Sequence, residues 1–368
     1  MDSVQANASL YAKEIKSAVG ALKNMRTNPD NPKDVSLGDY VKKRWAISLE
    51  GLFNDLGLNP YQDTIDNMVN LPDPDVHRWL MPEVIREAVR LGLRKSPIYP
   101  NITALEQTVK QLQLTMPSIN MSDAMPHKVG VAETIPLGNI SYQKKQVSIW
   151  KMGRGLRIPY EIRQYVTLNI TGIFFQDFGV KLGMGLDAMA IDVLINGEQT
   201  DGSASAPVVG VDTVNTTAYK DLLRVWVRMG RLGRTPNAII GGEDSAIATL
   251  NLDEFKKRES GTPEKRLNMK TPVPSVTDYY VHGAVPDEQQ IILDTTSALI
   301  KLNAQPLMIE EKKEVSNQTM EFYASLTTGF STLFRDARVI VDQNEDIDDT
   351  TFPSYMDPTS LETATIVE

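Results

Sequence analysis

The chain has no cysteine and three histidines in 368 residues. Disulfide frameworks, thiol nucleophiles and zinc sites built on cysteine are therefore excluded. His77, His127 and His282 lie far apart in sequence, so a metal site would require distant segments to converge on them. Ordinary polar histidines are the simpler reading, and neither a metal nor a cofactor is expected. There is no run of about 18 apolar residues of the kind a membrane-spanning helix requires. The first residues carry no apolar core of the secretory type, so no secretory signal is expected. Walker loops and zincin histidine pairs are missing too. Asp177-Phe178-Gly179 spells the kinase metal motif, but no catalytic-loop His-Arg-Asp and no glycine-rich loop accompany it. Gly183, Gly185 and Ala188 match a loose dinucleotide fingerprint, yet no strand precedes them and they fall inside a helical pattern. A carboxylate pair of the hydrolase kind stays open, because acidic residues are plentiful.

A strongly basic balance is also lacking. Lys and Arg number 38 against 47 Asp and Glu, a formal net charge of -9. A protein that grips nucleic acid neutralises phosphates with cationic side chains, so this balance argues against a strong nucleic-acid binder. It suits a container that must not adhere to a packed polyanion, and equally an acidic enzyme. The charge is uneven. Residues 343–368 hold Glu345, Asp346, Asp348, Asp349, Asp357, Glu362 and Glu368 with no Lys or Arg, seven of the nine excess negative charges. Phe352, Tyr355 and Met356 are candidates to anchor this tail against a partner. Lys256, Lys257, Arg258, Lys265, Arg266 and Lys270 form a basic loop around residues 261–263. Two readings of the loop stand: a solvated surface, or a charge-matched contact with the tail of an adjacent copy. At 41% hydrophobic and 23% charged, the chain can bury a sizeable core, and its length allows two or three domains.

What is present is an α+β pattern. Ser148 alternates with Val147 and Ile149, while Tyr142, Lys144 and Gln146 share the opposite parity. Residues 130–139 carry turn chemistry (Pro136, Gly138, Asn139), and Gly153 and Gly155 mark the far end. This predicts strand, turn, strand. A two-stranded ribbon is marginal alone in water, so it packs either on its own domain or on a neighbour. A long helix follows, with Ile170, Phe174, Phe178, Leu182, Leu186, Met189 and Val193 as its apolar stripe. Asn169 or Thr171 is expected to cap its start, and Asn196-Gly197 to stop it. Gly172, Gly179, Gly183 and Gly185 lie inside it, each costing about 1 kcal/mol relative to alanine. Tight packing against a sheet, or a bend, accounts for them.

Before the ribbon, residues 6–25 read as a helix and 27–32 as a linker. A second helix is predicted over 40–56, with Trp45, Leu49 and Phe53 at four-residue spacing. A third runs over 76–93, broken near Pro82. After the long helix, residues 218–232 form an amphipathic helix (Leu222, Leu223, Val225, Trp226, Met229). Short strands are expected at 238–240 and at 290–293, the latter after the Pro286-Asp287 turn.

In this order the elements resemble the major capsid proteins of tailed phages, the Hong Kong 97 fold also seen in encapsulin shells. The residues that carry the resemblance are Glu133, the strands through Lys151, Gly155 to Ile162 (GLRIPYEI), the long helix closing at Leu194 to Glu198 (LINGE), and the closing strand at Phe330 to Asp342 (FSTLFRDARVIVD). It covers about residues 78–342 and rests on order and pattern. It implies an N-terminal helical arm region over 1–100, reaching across neighbours or removed on maturation, and an extended hairpin E-loop with flanking P-domain strands over 101–167. A spine helix over 168–197, an A domain over 198–304, P-domain closing strands over 305–342 and an acidic tail over 343–368 complete the expected architecture. By the same resemblance the chain is a non-enzymatic shell subunit. It forms pentamers and hexamers with itself, encloses double-stranded DNA without sequence-specific binding, and sits in the virion after assembly in the host cytoplasm. Portal, scaffold or decoration proteins are further partners. Glu133, Lys144, Lys145, Trp150, Arg154 and Arg157 are the inter-subunit candidates, the four cations meeting acidic groups of a neighbour without covalent cross-links. Gly179, Gly183 and Gly185 are the candidates for a bend that straightens on expansion. The alternatives are an encapsulin-type compartment with a protein cargo and a cytoplasmic α+β enzyme.

Overall fold

The computed structural model describes residues 2–27, 35–59, 61–69, 74–95, 97–119, 129–131, 134–135, 137, 140–198, 205–256, 273, 276 and 278–357. The N-terminal part is helical: α1 (Asp2–Thr27), α2 (Leu37–Trp45), α3 (Leu49–Asp55), α4 (Ile65–Val69), α5 (Pro74–Lys95) and the short α6 (Tyr99–Ile102). Ile15, Val19 and Leu22 of α1 recur at helical spacing and are buried in the same core as Leu80, Ile85 and Val89 of α5. The Arg26 guanidinium forks onto Glu83 at 2.6 and 2.7 Å and donates to the Val35 carbonyl, which ties α1 to α5 within one chain. The expected arm across neighbours is therefore packed on its own subunit along α1.

Two helix expectations change here. The segment 40–56 is not one helix. Ala46 takes the left-handed conformation (φ 57°), and Ser48 starts a new helix by accepting the Gly51 N–H at 3.0 Å. Conversely, α5 runs through Pro82 without a break. Leu80, Met81, Ile85 and Val89 on both sides of it are buried in one core, so packing outweighs the missing backbone donor.

Two strands then form a ribbon, β2 (Gln113–Ile119) antiparallel to β3 (Ile140–Ser148), preceded by the short β1 (Leu105–Thr108). β3 leads through Ile149 into β4 (Trp150–Pro159). Gly153 and Gly155 lie inside β4 rather than at its end, facing Ser325 and Tyr323 of β10 (Thr319–Thr332). A Cβ on Gly153 would stand 2.8 Å from the Ala324 carbonyl oxygen, and one on Gly155 2.8 Å from the Tyr323 ring, so both glycines serve close approach. β10 forms a long hairpin with β9 (Leu299–Glu314), and the four-stranded sheet has the order β1-β9-β10-β4. The expected closing strand over 330–342 is divided. The end of β10 and β11 (Arg338–Asp346) flank a 3-10 turn at Arg335–Ala337, and the two strands belong to different sheets.

After the short α7 (Tyr160–Tyr165), the long helix α8 spans Leu168–Asn196. Its N-cap is Thr167, without a side-chain cap, so Asn169 and Thr171 lie inside it. Gly197 ends it with φ 75°. The buried face holds Thr171, Phe175, Phe178, Leu182, Leu186, Ala190, Ile191 and Leu194. Ile170 and Phe174, placed on the stripe by sequence, are exposed instead. Apolar residues surround this helix on several sides, so periodicity alone left its first turns ambiguous, and the Phe175 ring decided them by meeting Phe322 edge-on at 5.5 Å. The partner of α8 at its glycines is chiefly a helix. A Cβ on Gly179 would come 2.1 Å from the Val89 carbonyl oxygen, and one on Gly92 1.9 Å from that of Gln176.

The remaining strands, β5 (Val208–Val211), β6 (Ala238–Gly241), β7 (Asp278–Val281) and β8 (Gln289–Leu293), join β11 in a second sheet of order β5-β11-β8-β6-β7. Ile239, Ile292, Val339 and Val341 point to one face, under Leu222, Val225 and Met229 of α9 (Tyr219–Arg231) and Ala246 of α10 (Glu243–Leu250). Ala238, Ile240, Ile291, Leu293 and Ile340 point to the other and join the main core. The strict alternation follows from the period-two geometry of a strand buried on both faces. Asp221 in the first turn of α9 accepts the Ala218 N–H at 3.0 Å, one half of a capping box.

The glycines of α8 separate into two kinds. A methyl group on Gly172 would meet only open space, so Gly172→Ala should stabilise by up to about 1 kcal/mol in urea denaturation. Gly179→Ala should destabilise, because the clash with Val89 adds an overpacking cost of about 1–3 kcal/mol. Equal effects at both positions would contradict the crossing geometry.

Candidate assembly surfaces

Three surfaces stand out once the core is accounted for. The first is the ribbon. Its base is fixed by a small cluster of Val109, Met116, Val147, Ile149, Ile300 and Leu302. The pairing then continues outward to Ser118 opposite Ser141 and Ile119 opposite Ile140. Lys144 and Lys145 lie on β3, Lys145 opposite Met116. Glu133 lies outside the described residues. Val131, Ile135 and Leu137 in the connection are 105%, 70% and 90% exposed, so this end of the ribbon carries apolar groups that its own chain does not cover.

The second surface is the beginning of α8. Ile170, Ile173 and Phe174 are 47%, 58% and 67% exposed and share one helical face by their three- and four-residue spacing. Tyr165 and Ile162 of α7 are exposed just before it. The Thr64–Thr167 bridge and the Arg163–Asp66 ion pair at 2.6 Å hold this region to α4. The patch is therefore presented on fixed elements, the arrangement an interface needs. Sequence reasoning placed Phe174 in the core and overlooked Ile173. The doublet Phe174-Phe175 was the available signal, because adjacent helical positions cannot both face one side.

The third is β4, an edge strand of its sheet. Trp150 is 64% exposed and Arg154 is exposed. Arg157 does not wait for an acidic group of a neighbour. It pairs with Glu321 of its own β10 at 2.7 Å, directly across the strand register. A hydrogen bond from the Tyr323 hydroxyl and then the Arg157 pair hold the Glu321 carboxyl below the usual range.

The basic and acidic segments also resolve in part. Lys256 closes α11 (Asp253–Lys256), while Lys257, Arg258, Lys265 and Arg266 lie outside the described residues. The tail, expected on a partner, is fixed on its own subunit as far as Asp357. Met356 is fully buried in the second sheet's core, Arg228 of α9 lies 4.7 Å over the Phe352 ring, and its guanidinium is 3.8 Å from the Asp357 carboxylate. An open groove of about 650 Å³ runs along this side of α9, lined by Lys220, Arg224, Arg228 and Phe352 among others.

The enzyme motifs receive no support from position. Asp177, Phe178, Gly179, Gly183 and Gly185 all lie within α8. Gly183 and Gly185 have looser surroundings than Gly179, with nearest approaches of 3.5 Å to the Leu93 carbonyl and 3.3 Å to the Met152 methyl. Among the described residues no group of three or more His, Cys, Asp or Glu is placed to hold a metal. No helix among them is long and apolar enough to cross a membrane.

No protein-family model matches the sequence, and no curated protein matches it. Solved structures do match by shape. A phage-related protein from Bordetella bronchiseptica superposes with a TM-score of 0.51 at 11% identity, over 72% of this chain and 97% of its own. The capsid of an empty GTA particle superposes with a TM-score of 0.50 at 12% identity, over 68% of this chain and 90% of its own. The chain has a capsid-protein fold. An encapsulin from Synechococcus elongatus gives a TM-score of 0.46 at 10% identity, over 71% of this chain and 92% of its own. The resemblance to Hong Kong 97-type capsid proteins read from element order thus holds at the level of the fold. A mixed α+β capsid-protein fold is what the Bordetella protein and the GTA capsid share with this chain; at these identities the fold is all they carry over.

The register of α8 in this capsid fold has a direct check. Phe174→Ala should leave monomer stability within about 0.5 kcal/mol, as expected of an exposed side chain. Phe175→Ala should cost about 3–5 kcal/mol. Chemical denaturation of both variants under dissociating conditions measures the difference, and a reversed order would place the helix on the wrong face.

Proposed function

We propose that this chain is a structural shell subunit, a major capsid protein that assembles with itself through pentamers and hexamers into an icosahedral head around double-stranded DNA. The observation that carries the reading is a capsid-protein fold that leaves two apolar surfaces uncovered, the ribbon's connection at Val131, Ile135 and Leu137 and the Ile170-Ile173-Phe174 face presented on fixed elements. In this reading β2 and β3 with their connection are the E-loop. The α5–α8 pair with the four-stranded sheet is the P domain, and the second sheet with α9 and α10 is the A domain. Ribbon, edge strand and helix face each contribute a modest contact, and their combination gives a stable closed shell while each remains reversible during growth. Lys144, Lys145, Trp150 and Arg154 are the ribbon and edge groups that meet a neighbour, with Arg157 acting through its pairing to Glu321. The net charge of -9 suits a wall that encloses DNA without gripping it. The product is a virion shell built in a host cytoplasm, with portal, scaffold or decoration proteins as further partners. Gly183 and Gly185, less tightly held than Gly179, are where the long helix changes curvature between shell states.

Light scattering after size exclusion, with negative-stain microscopy of the large species, tests this reading. The wild-type chain should give hollow shells or five- and six-membered rings. Phe174→Asp should give a folded 40.9 kDa monomer. Co-purifying nucleic acid supports the viral head, whereas a protein cargo points to an encapsulin-type compartment instead. A wild type that stays monomeric with crowding agents and with phage lysate contradicts the proposal.

A further inference from the structure

Helix α9 has a second organised face. Leu222, Val225 and Met229 turn into the core of the five-stranded sheet. Lys220, Leu223, Arg224, Val227, Arg228 and Arg231 recur at three- and four-residue spacing and form one wall of the open groove of about 650 Å³. That wall combines an apolar strip, Leu223 and Val227, with a row of four cations, and Val227 is 49% exposed. The opposite wall is the chain's own tail, through Ile347 and Phe352 among others. The tail is pinned there by the Ile347 N–H on the Val211 carbonyl at 3.0 Å and by the Thr350 hydroxyl, which accepts the Gly210 N–H at 2.6 Å.

We propose that the groove holds residues 358–368 of the same chain. These residues lie outside the described ones, and the described chain ends against a groove cation: Asp357 is 3.8 Å from the Arg228 guanidinium. Reach is sufficient. The eleven residues after Asp357 extend up to about 40 Å, and the 13 residues of α9 span about 20 Å.

Composition fits as well. The segment has Glu362 and Glu368 with no Lys or Arg, and Leu361, Ile366 and Val367 supply apolar groups. The described tail already docks with this chemistry, placing the Phe352 ring 4.7 Å under Arg228 and the Asp357 carboxylate beside it. At the start of α9, Asp212 answers Lys220 at 3.0 Å and Arg224 at 3.1 Å. Farther along, Arg228 meets Asp357 beyond hydrogen-bond distance, so its N–H donors remain for further acceptors. The tail of a neighbouring copy would bring the same groups. The chain's own segment is favoured because it is tethered at the site, where a short linker gives an effective concentration in the millimolar range. With the segment in place, the α9 cations face the chain's own carboxylates and offer no open row to a polyanion.

Proteolysis of the full chain, dissociated into subunits, tests the docking. A glutamate-specific protease cuts after Glu362, and mass spectrometry follows the release of residues 363–368. Cleavage of this kind tracks the undocked population. The wild type should release the fragment about tenfold more slowly than Val227→Asp, which sets a carboxylate on the apolar strip. Far-UV circular dichroism of that variant should match the wild type. Ile366→Asp, which leaves every described contact in place, should be cut as fast as Val227→Asp and carries the test if the first variant does not fold. The wild-type rate should hold over a dilution of about a hundredfold. A wild type cut as fast as either variant overturns the proposal. Slow cleavage that becomes fast on dilution also overturns it and assigns the groove to a neighbour's tail. The rates are read on dissociated subunits, so their failure leaves the shell assay untouched.

Discussion

The structure depends on a single close approach, the crossing of α5 and α8 at Gly92 and Gly179. Each glycine faces a carbonyl oxygen of the other helix, and any side chain at either position would collide with backbone. Interaxial distances of about 8–10 Å are set by the side chains at a contact, and two facing glycines permit the shortest of them. The consequences propagate through one core. Drawing α8 onto α5 fixes its rotation, which turns Phe175, Phe178 and Leu182 inward against the β9–β10 hairpin. The same rotation forces Ile170, Ile173 and Phe174 outward. The uncovered apolar face is thus a by-product of the packing that stabilises the subunit.

Buried charges make the arrangement specific. Arg26 and Glu83 are both nearly inaccessible and bind bidentately, and Arg86 donates to the carbonyls of Val35 and Leu307 from a fully buried position. Ion pairs of this kind add little net stability but penalise any alternative register that leaves one partner unpaired. Arg338 sits at the junction of the two sheets, where burial lowers its guanidinium to about 10, with Glu198 acting in the opposite direction. Glu198 also accepts from Ser331 at 2.6 Å and from the Thr332 hydroxyl at 2.9 Å, which ties the end of the long helix to the end of β10. The passage from one sheet to the other is therefore held by polar groups beside the main core, which both sheets share.

The order of elements was legible because it rests on local signals. The amphipathic α9, the short β6 and β8, and the glycine stop of the long helix each follow from periodicity or from a residue with a special backbone preference. What escaped depended on partners distant in sequence. Gly153 and Gly155 resembled strand ends until Ser325 and Tyr323 came to lie opposite them. The β9–β10 hairpin was obscured by the charged run Glu310 to Glu314, where the strand extends beyond the core and no position is buried, so no alternation marks it. The exposed and buried faces of α8 were inverted at its first turns because Ile170, Ile173, Phe174 and Phe175 offer apolar groups on both faces while the buried face also holds Thr171, and only the crossing with α5 chooses between them. The same limit applies to the candidate surface. Trp150 was singled out as an inter-subunit candidate, but the partner of Arg157 was invisible because Glu321 lies far along the chain.

If the apolar face of α8 is completed by another copy of this chain, cryo-electron microscopy of the assembled wild-type protein tests it most directly. Ile170, Ile173 and Phe174 of each subunit should lie beneath a segment of the next. A closed shell in which that face stands open to solvent, with subunits joined only elsewhere, would contradict it.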